Sequence, residues 1–345
     1  MEGKNLQNIP LSILDLVPVT AASTAGQSFK NSVDLAQKAE AFGYKRFWMS
    51  EHHNMEGVAS SATVVLIGHI AGKTKTIRVG SGGIMLPNHA PLVVAEQFGT
   101  LATLYPNRID LGLGRAPGTD QQTSRALRRT MMGSVEEFPA NVVELQNYFT
   151  NENPTPVKAV PGKGLDVPIW ILGSSTYGAQ LAGMLGLPYA FASHFAPALL
   201  ETAIQVYRDH FKPSSSLQKP YVMACLNVVA ADTTTEAQRL STSLYAFFLN
   251  VVRGTSNPLA APPENLDALW NDAERAAVMQ MLKYNFVGSK ELVGRQLDAF
   301  VQRTQVDELM VVSNIFDHQA RIRSYELLAQ LQKAKTENQL QSLFA

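Results

Sequence analysis

Along the chain, short apolar runs of strand-like composition alternate with longer stretches in which hydrophobic positions recur at helical spacing. The strand-like runs are LSILDLVP from Leu11, KRFWMS from Lys45, TIRVGSGGIML from Thr76, RIDLGLG from Arg108, VPIWILG from Val167, PYAFAS from Pro188, PYVMACLNVVAA from Pro220 and ELMVVSN from Glu308. They are near-continuous hydrophobic runs rather than strict alternations, which suits parallel strands covered on both faces. Between them helical patterns open at Ser28, Ser60, Pro91, Ser134, Ser175, Pro197 and Asp317, several on a cap-type residue or a first-turn proline. Eight strands, each followed by a helix, predict an α/β fold closed as a (β/α)8 TIM barrel more naturally than an open sheet. One segment breaks the rhythm. After the seventh strand, residues 232–286 read as helices around the loop RGTSNPLAAPPENL, before VGSKELVGRQLDAF resumes the barrel helix. The expectation is a single domain over 1–345 with a helical insertion, which becomes either a wall of the site or a stabilising decoration.

Composition narrows the class. Formal net charge is zero and the pI is about 7.1, so the chain has no electrostatic footprint for nucleic acid or an acidic membrane surface. The one cysteine, Cys225, excludes an internal disulfide, reads as a small core residue, and points to a reducing, cytoplasmic compartment. The opening MEGKNLQNIP lacks the apolar stretch of a secretory signal, and apolar runs such as ATVVLIGHIA stop well short of a membrane span.

If the barrel is right, chemistry sits where strands end and loops begin. SEHHN, after the second strand, sets Glu51, His52 and His53 side by side. Neighbouring side chains on an extended segment point to opposite faces, so the two histidines do not converge on one ion, and no second cluster completes a ligand set. No metal is expected. What remains is one histidine facing inward, able to titrate near neutrality, and one facing aside. GLGRAPG, with glycines at 112, 114 and 118, has one residue too many for a dinucleotide fingerprint, and Pro117 would interrupt the helix that must begin there. Arg115 leaves that strand end as a permanently charged fork, suited to a phosphate or to pairing with an acid such as Asp110 or Asp120. In LGSSTYG a buried strand ends at Gly173, and Ser174, Ser175 and Thr176 open the next helix. Their N–H groups and hydroxyls can seat an anion against the helix dipole, or they can be ordinary caps. Gly80 to Gly83 lie inside a strand, which calls for a bulge or for the close approach of something flat.

These motifs together resemble one family. EHH after the second strand, VGSGGIMLPNHAP leading into AEQFGTLATLYPNRIDLGLGRAPG, and the turn LGSSTYGAQLAGMLGLP look like the bacterial luciferase-like flavin monooxygenases, and VGSKELV is similar to the segment where that family returns to its barrel. The resemblance covers the chain from about Pro10 to the last helix and is weakest over 232–286. It implies a TIM barrel, commonly a homodimer, that takes reduced FMN from a separate flavin reductase and uses O2 to oxygenate a small organic substrate such as an aldehyde, ketone, alkane or sulfur compound. It implies that His52 handles protons near the flavin, that Arg115, Ser174, Ser175 and Tyr177 hold the FMN phosphate, and that Gly82 and Gly83 form a non-proline cis peptide against the ring. Gly114 stands where the light-emitting relative has a reactive cysteine, and light emission is not implied. Two other readings stay open: a deazaflavin-dependent dehydrogenase transferring hydride on the same barrel, and a flavoprotein that binds FMN without catalysis. Trp48, His194, Phe195, Phe247 and Phe248 are candidates for the substrate walls.

Overall fold

The computed structural model describes residues 3–116, 120–127 and 136–343, with side chains to residue 332. Pro117, Gly118 and the helix opening expected at Ser134 lie outside the described residues. Eight strands close by parallel pairing: β1 (Leu11–Asp15), β2 (Arg46–Met49), β3 (Arg78–Met85), β4 (Ile109–Gly114), β5 (Ile169–Gly173), β6 (Tyr189–Phe191), β7 (Val222–Ala231) and, returning to β1, β9 (Glu308–Val312). Each of the eight runs expected from the sequence supplies one of them. Residues of β1, β2, β4, β7 and β9 are buried throughout, as strands covered inside and outside must be.

Helices follow the strands and form the outer layer: α1 (Ala25–Phe42), α2 (Thr63–Ala71), α3 (Pro91–Leu104), α4 (Gln121–Leu127), α5 (Phe138–Phe149), α6 (Thr176–Leu185) and α7 (Leu200–His210). Between β7 and β9 run α8 (Thr234–Val252), α9 (Asp272–Met281), β8 (Asn285–Ser289) and α10 (Lys290–Thr304), and α11 (His318–Leu343) ends the chain. The strand β8 was not foreseen, and it contains Phe286, the expected end of the helical segment. It pairs with the far half of β7, Asn227 to Ala231, beyond the point where three-residue β6 stops. NFVGS carries Asn, Gly and Ser and is mostly half-buried, so it lacks the apolar run by which the barrel strands are recognised.

The two ends of the barrel differ in chemistry. At the N-terminal ends of the strands a buried ionic cluster fills the interior. Arg46 donates to Asp110 Oδ2 at 2.7 Å and to Glu308 Oε1 at 2.9 Å, and Arg78 donates to Asp110 Oδ1 at 2.6 Å. Ser12, Tyr221 and Trp48 complete the set, Trp48 through its indole N–H to Asp110 at 3.1 Å. The opposite rim, where the strands end, is hollow. Among the described residues no helix is long and apolar enough to cross a membrane.

Candidate active site

A cavity of about 460 Å³ opens at the C-terminal rim and reaches into the barrel, within the range of small-molecule pockets. All seven residues singled out from the sequence line it: His52, Gly82, Gly83, Arg115, Ser174, Ser175 and Tyr177. They come from the ends of β2, β3, β4 and β5, which are neighbours in the sheet, so the fold collects motifs more than 120 residues apart (174 − 52 = 122).

At one end of the cavity the Arg115 guanidinium carbon lies 4.1 Å from the centroid of the Tyr177 ring, a stacked cation–π contact. The two acids that could have neutralised it are engaged elsewhere. Asp110 is held by Arg46 and Arg78 in the ionic cluster, and Asp120 accepts from the Gln122 and Thr123 N–H groups, the Thr123 hydroxyl and Asn54. Among the described residues no carboxylate pairs with Arg115.

Ser175 stands at the N-cap of α6, yet its side chain makes no capping bond. The other serine, threonine and asparagine N-caps described do cap: Thr24, Thr233, Asn271 and Ser289 each accept a backbone N–H at the starts of α1, α8, α9 and α10. At α6 the hydroxyl and the first-turn N–H groups stay available, on the positive end of the helix, beside an arginine with no acid. What is anchored is the turn itself, through the Tyr189 hydroxyl donating to the Ser175 carbonyl at 3.1 Å.

The flat part of the cavity is formed at β3. The Gly82–Gly83 peptide is cis, and the register between β3 and β4 shifts between Ser81 and Ile84. A bulge and an open face therefore coincide rather than compete. A Cβ on Gly82 would stand 2.7 Å from Leu14 Cδ1, and one on Gly83 would stand 2.8 Å from the Gly112 carbonyl oxygen. At Gly83, where the obstacle is backbone, a larger residue would push the strand off its neighbour, whereas at Gly82 the Leu14 side chain would have to give way.

EHH resolves into three roles. His52 is half-buried and faces the cavity. His53 turns aside, with Nε2 3.0 Å from Glu51 Oε1, and His89 from the LPNHAP motif places its Nε2 2.9 Å from the same oxygen. The Met85 N–H donates to the other carboxylate oxygen at 3.1 Å. Burial alone would raise the Glu51 pKa, but the bond and charge of His89, the His53 bond and the Met85 N–H outweigh it and hold the carboxylate below its ordinary range. Glu51 thus ties the loop carrying His52 to the end of the glycine strand. His89 was not foreseen in this role. Its loop position was visible, but a partner 38 residues away was not.

The remaining walls come from the barrel interior. Trp48, His194 and Phe195 line the cavity as expected, whereas Phe247 and Phe248 do not. Phe248 packs with Leu244, Leu249 and Val278 in a separate cluster between α8 and α9, with Phe247 against it, so those aromatics serve helix packing. Cys225 is buried, and burial pushes its thiol up, away from any nucleophilic role. It also borders the cavity, with Leu14, Leu16, Met223 and Met310. Among the described residues no group of His, Cys, Asp and Glu side chains could hold a metal ion.

A family model described as luciferase-like monooxygenase matches residues 9–308. Over 335 residues the chain is 55% identical to the protein YvbT of Bacillus subtilis (strain 168), covering 96% of this chain and 99% of that one. It is 52% identical to a luciferase-like monooxygenase of Escherichia coli (strain K12), with 93% and 96% covered. Among solved structures, apo-MsnO8 superimposes with a TM-score of 0.85 at 34% identity, covering 94% of this chain and 98% of that one.

Proposed function

The chain belongs to the luciferase-like monooxygenase family, and from that premise we propose that it is an FMN-dependent monooxygenase that uses O2 to oxygenate a small organic substrate. The observation that carries the reading is the pairing of a seat and a slot in one cavity. Arg115 stacks on Tyr177 beside the uncapped serine turn of α6, and the Cβ-free Gly82–Gly83 face lies in the same hollow. Arg115, Ser174, Ser175 and Tyr177 hold the FMN phosphate, and Gly82 and Gly83 accept the ring. Reduced FMN, when bound, supplies the electrons that activate O2. The chain's own part is to position the ring, to exclude water with an apolar interior, and to move a proton at the rim through His52. The cofactor arrives already reduced from a separate flavin reductase, as the family resemblance implies. Val65 on α2 and Leu104 at the end of α3 are 70% and 63% exposed, and a second copy of the chain covers such side chains in the homodimer we infer.

Fluorescence titration tests the cofactor. FMN binds, and binds more tightly than an 8-hydroxy-5-deazaflavin. The reverse order with no oxygen uptake would move the chain to the hydride-transferring dehydrogenases. His52→Ala tests the proton. In an assay reconstituted with a flavin reductase, oxygenated product forms about 10²-fold more slowly, the lower end of what general acid–base catalysis contributes, while the FMN dissociation constant hardly moves. Unchanged product formation would remove His52 from the mechanism.

A further inference from the structure

Several histidines give a ring nitrogen to the protein, His53 and His89 to Glu51, His210 to the Val206 carbonyl and His318 to Asp34. His194 does not. It follows β6 on the rim and lines the cavity, half-buried, and its Nδ1 is closed off from solvent without a partner. What is fixed is its frame. Asn227 Nδ2 donates to the His194 carbonyl at 2.5 Å, and the ring meets Phe195 edge-on with centroids 4.9 Å apart. The closed-off Nδ1 leaves Nε2 as the nitrogen that can reach the cavity, and a polar group at a cavity wall without a protein partner is one that a ligand can complete.

The surroundings say what kind of ligand. On the inner wall stand Leu14, Leu16, Met223, Cys225 and Met310, while Arg115 is the only lysine or arginine, and no aspartate or glutamate, among the described lining residues. Arg115 is committed to its contact over Tyr177. Burial, and then the nearby His52, push the His194 imidazole down to about 3, so it presents one N–H and one bare nitrogen but no charge.

We propose that His194 is the substrate-anchoring residue, donating one hydrogen bond to the oxygen of a neutral, mainly apolar substrate of the ketone type seated against the inner barrel wall. This rests on the flavin reading above and adds a specificity: a carboxylate of the same length meets no lysine or arginine committed to that position, only neutral His194 among apolar side chains with His52 nearby, and binds more weakly than the ketone.

The test uses the FMN-loaded enzyme and calorimetric titration with straight-chain methyl ketones of about six to ten carbons and the matching carboxylates. Ketones bind, and the carboxylates bind about tenfold or more weakly. His194→Phe keeps the size and apolar character of the ring but removes its donor, and ketone affinity falls about tenfold. His194→Gln restores a donor and brings affinity back to within about threefold of wild type. The FMN dissociation constant, measured on the same samples, stays level in both variants. Ketones that do not bind, carboxylates that bind as well, or ketone affinity indifferent to position 194 while FMN still binds would overturn the anchoring role alone. Failure of wild-type enzyme to bind FMN would overturn the cofactor reading and this inference with it.

Discussion

Asp110→Ala lowers the free energy of unfolding by about 3–5 kcal/mol, the cost of breaking a buried ion pair by removing one partner. Asp110 is fully buried on β4 and accepts from three donors: Arg46, Arg78 and the Trp48 indole. Removing it leaves Arg46, 7% exposed, with Glu308 as its one carboxylate partner inside the barrel, while Arg78 at the edge keeps the Asn107 and Ile109 carbonyls. Burial alone would disfavour charge on Arg46, and it is the two carboxylates that reverse this and raise its pKa above the ordinary value. Urea unfolding at neutral pH reads the effect as a lower midpoint. Glu236→Ala, which breaks an exposed pair with Arg239 on α8, serves as the control and leaves the midpoint close to wild type. An Asp110→Ala midpoint indistinguishable from that control would mean that water reaches the cluster. The consequence extends upward, because Trp48 stands between the cluster and the cavity and meets Trp170 edge-on at 5.2 Å.

The barrel was legible because its strands are double-covered and therefore apolar throughout, which marks them in a sequence without any alignment. Strand β8 was not, since it adds to β7 at an open flank, is only half-buried, and needs no hydrophobic run. The site was legible in the same measure as it depends on strand order. Once β2 to β5 are neighbours, the motifs after them must share a rim, and His52, Gly82, Arg115 and Ser175 need no further information to meet. What pairing adds across the rim was hidden. Glu51 with His89, and Asp110 with Arg46 and Arg78, are contacts of side-chain direction rather than of chain order. The aromatic pair Phe247 and Phe248 shows the opposite failure, in which residue type suggests a pocket and the helix that carries it faces another helix. His194 lies between these cases: its place after β6 was visible, and the lack of a partner for its Nδ1 was not.

Arg115→Ala weakens FMN binding about tenfold to a hundredfold and leaves riboflavin binding nearly unchanged. The size follows from charge-assisted hydrogen bonds, worth about 1.5–3 kcal/mol each, at about 1.4 kcal/mol per factor of ten. The contrast follows from geometry. Arg115 sits over Tyr177 at the serine turn, whereas the glycine face lies on β3, so a ligand without a phosphate keeps its ring contacts and loses nothing at the arginine. Arg115→Lys separates charge from shape. It retains the cation, forfeits the planar fork and the stacking on Tyr177, and falls between alanine and wild type. Raising the ionic strength weakens FMN binding to wild type more than to Arg115→Ala, because only the former has a half-buried, partly solvated cation to screen. Equal losses for FMN and riboflavin would show that Arg115 shapes the cavity wall through Tyr177. The phosphate would then rest on the α6 turn alone, and Ser174→Ala with Ser175→Ala would become the substitutions that discriminate FMN from riboflavin.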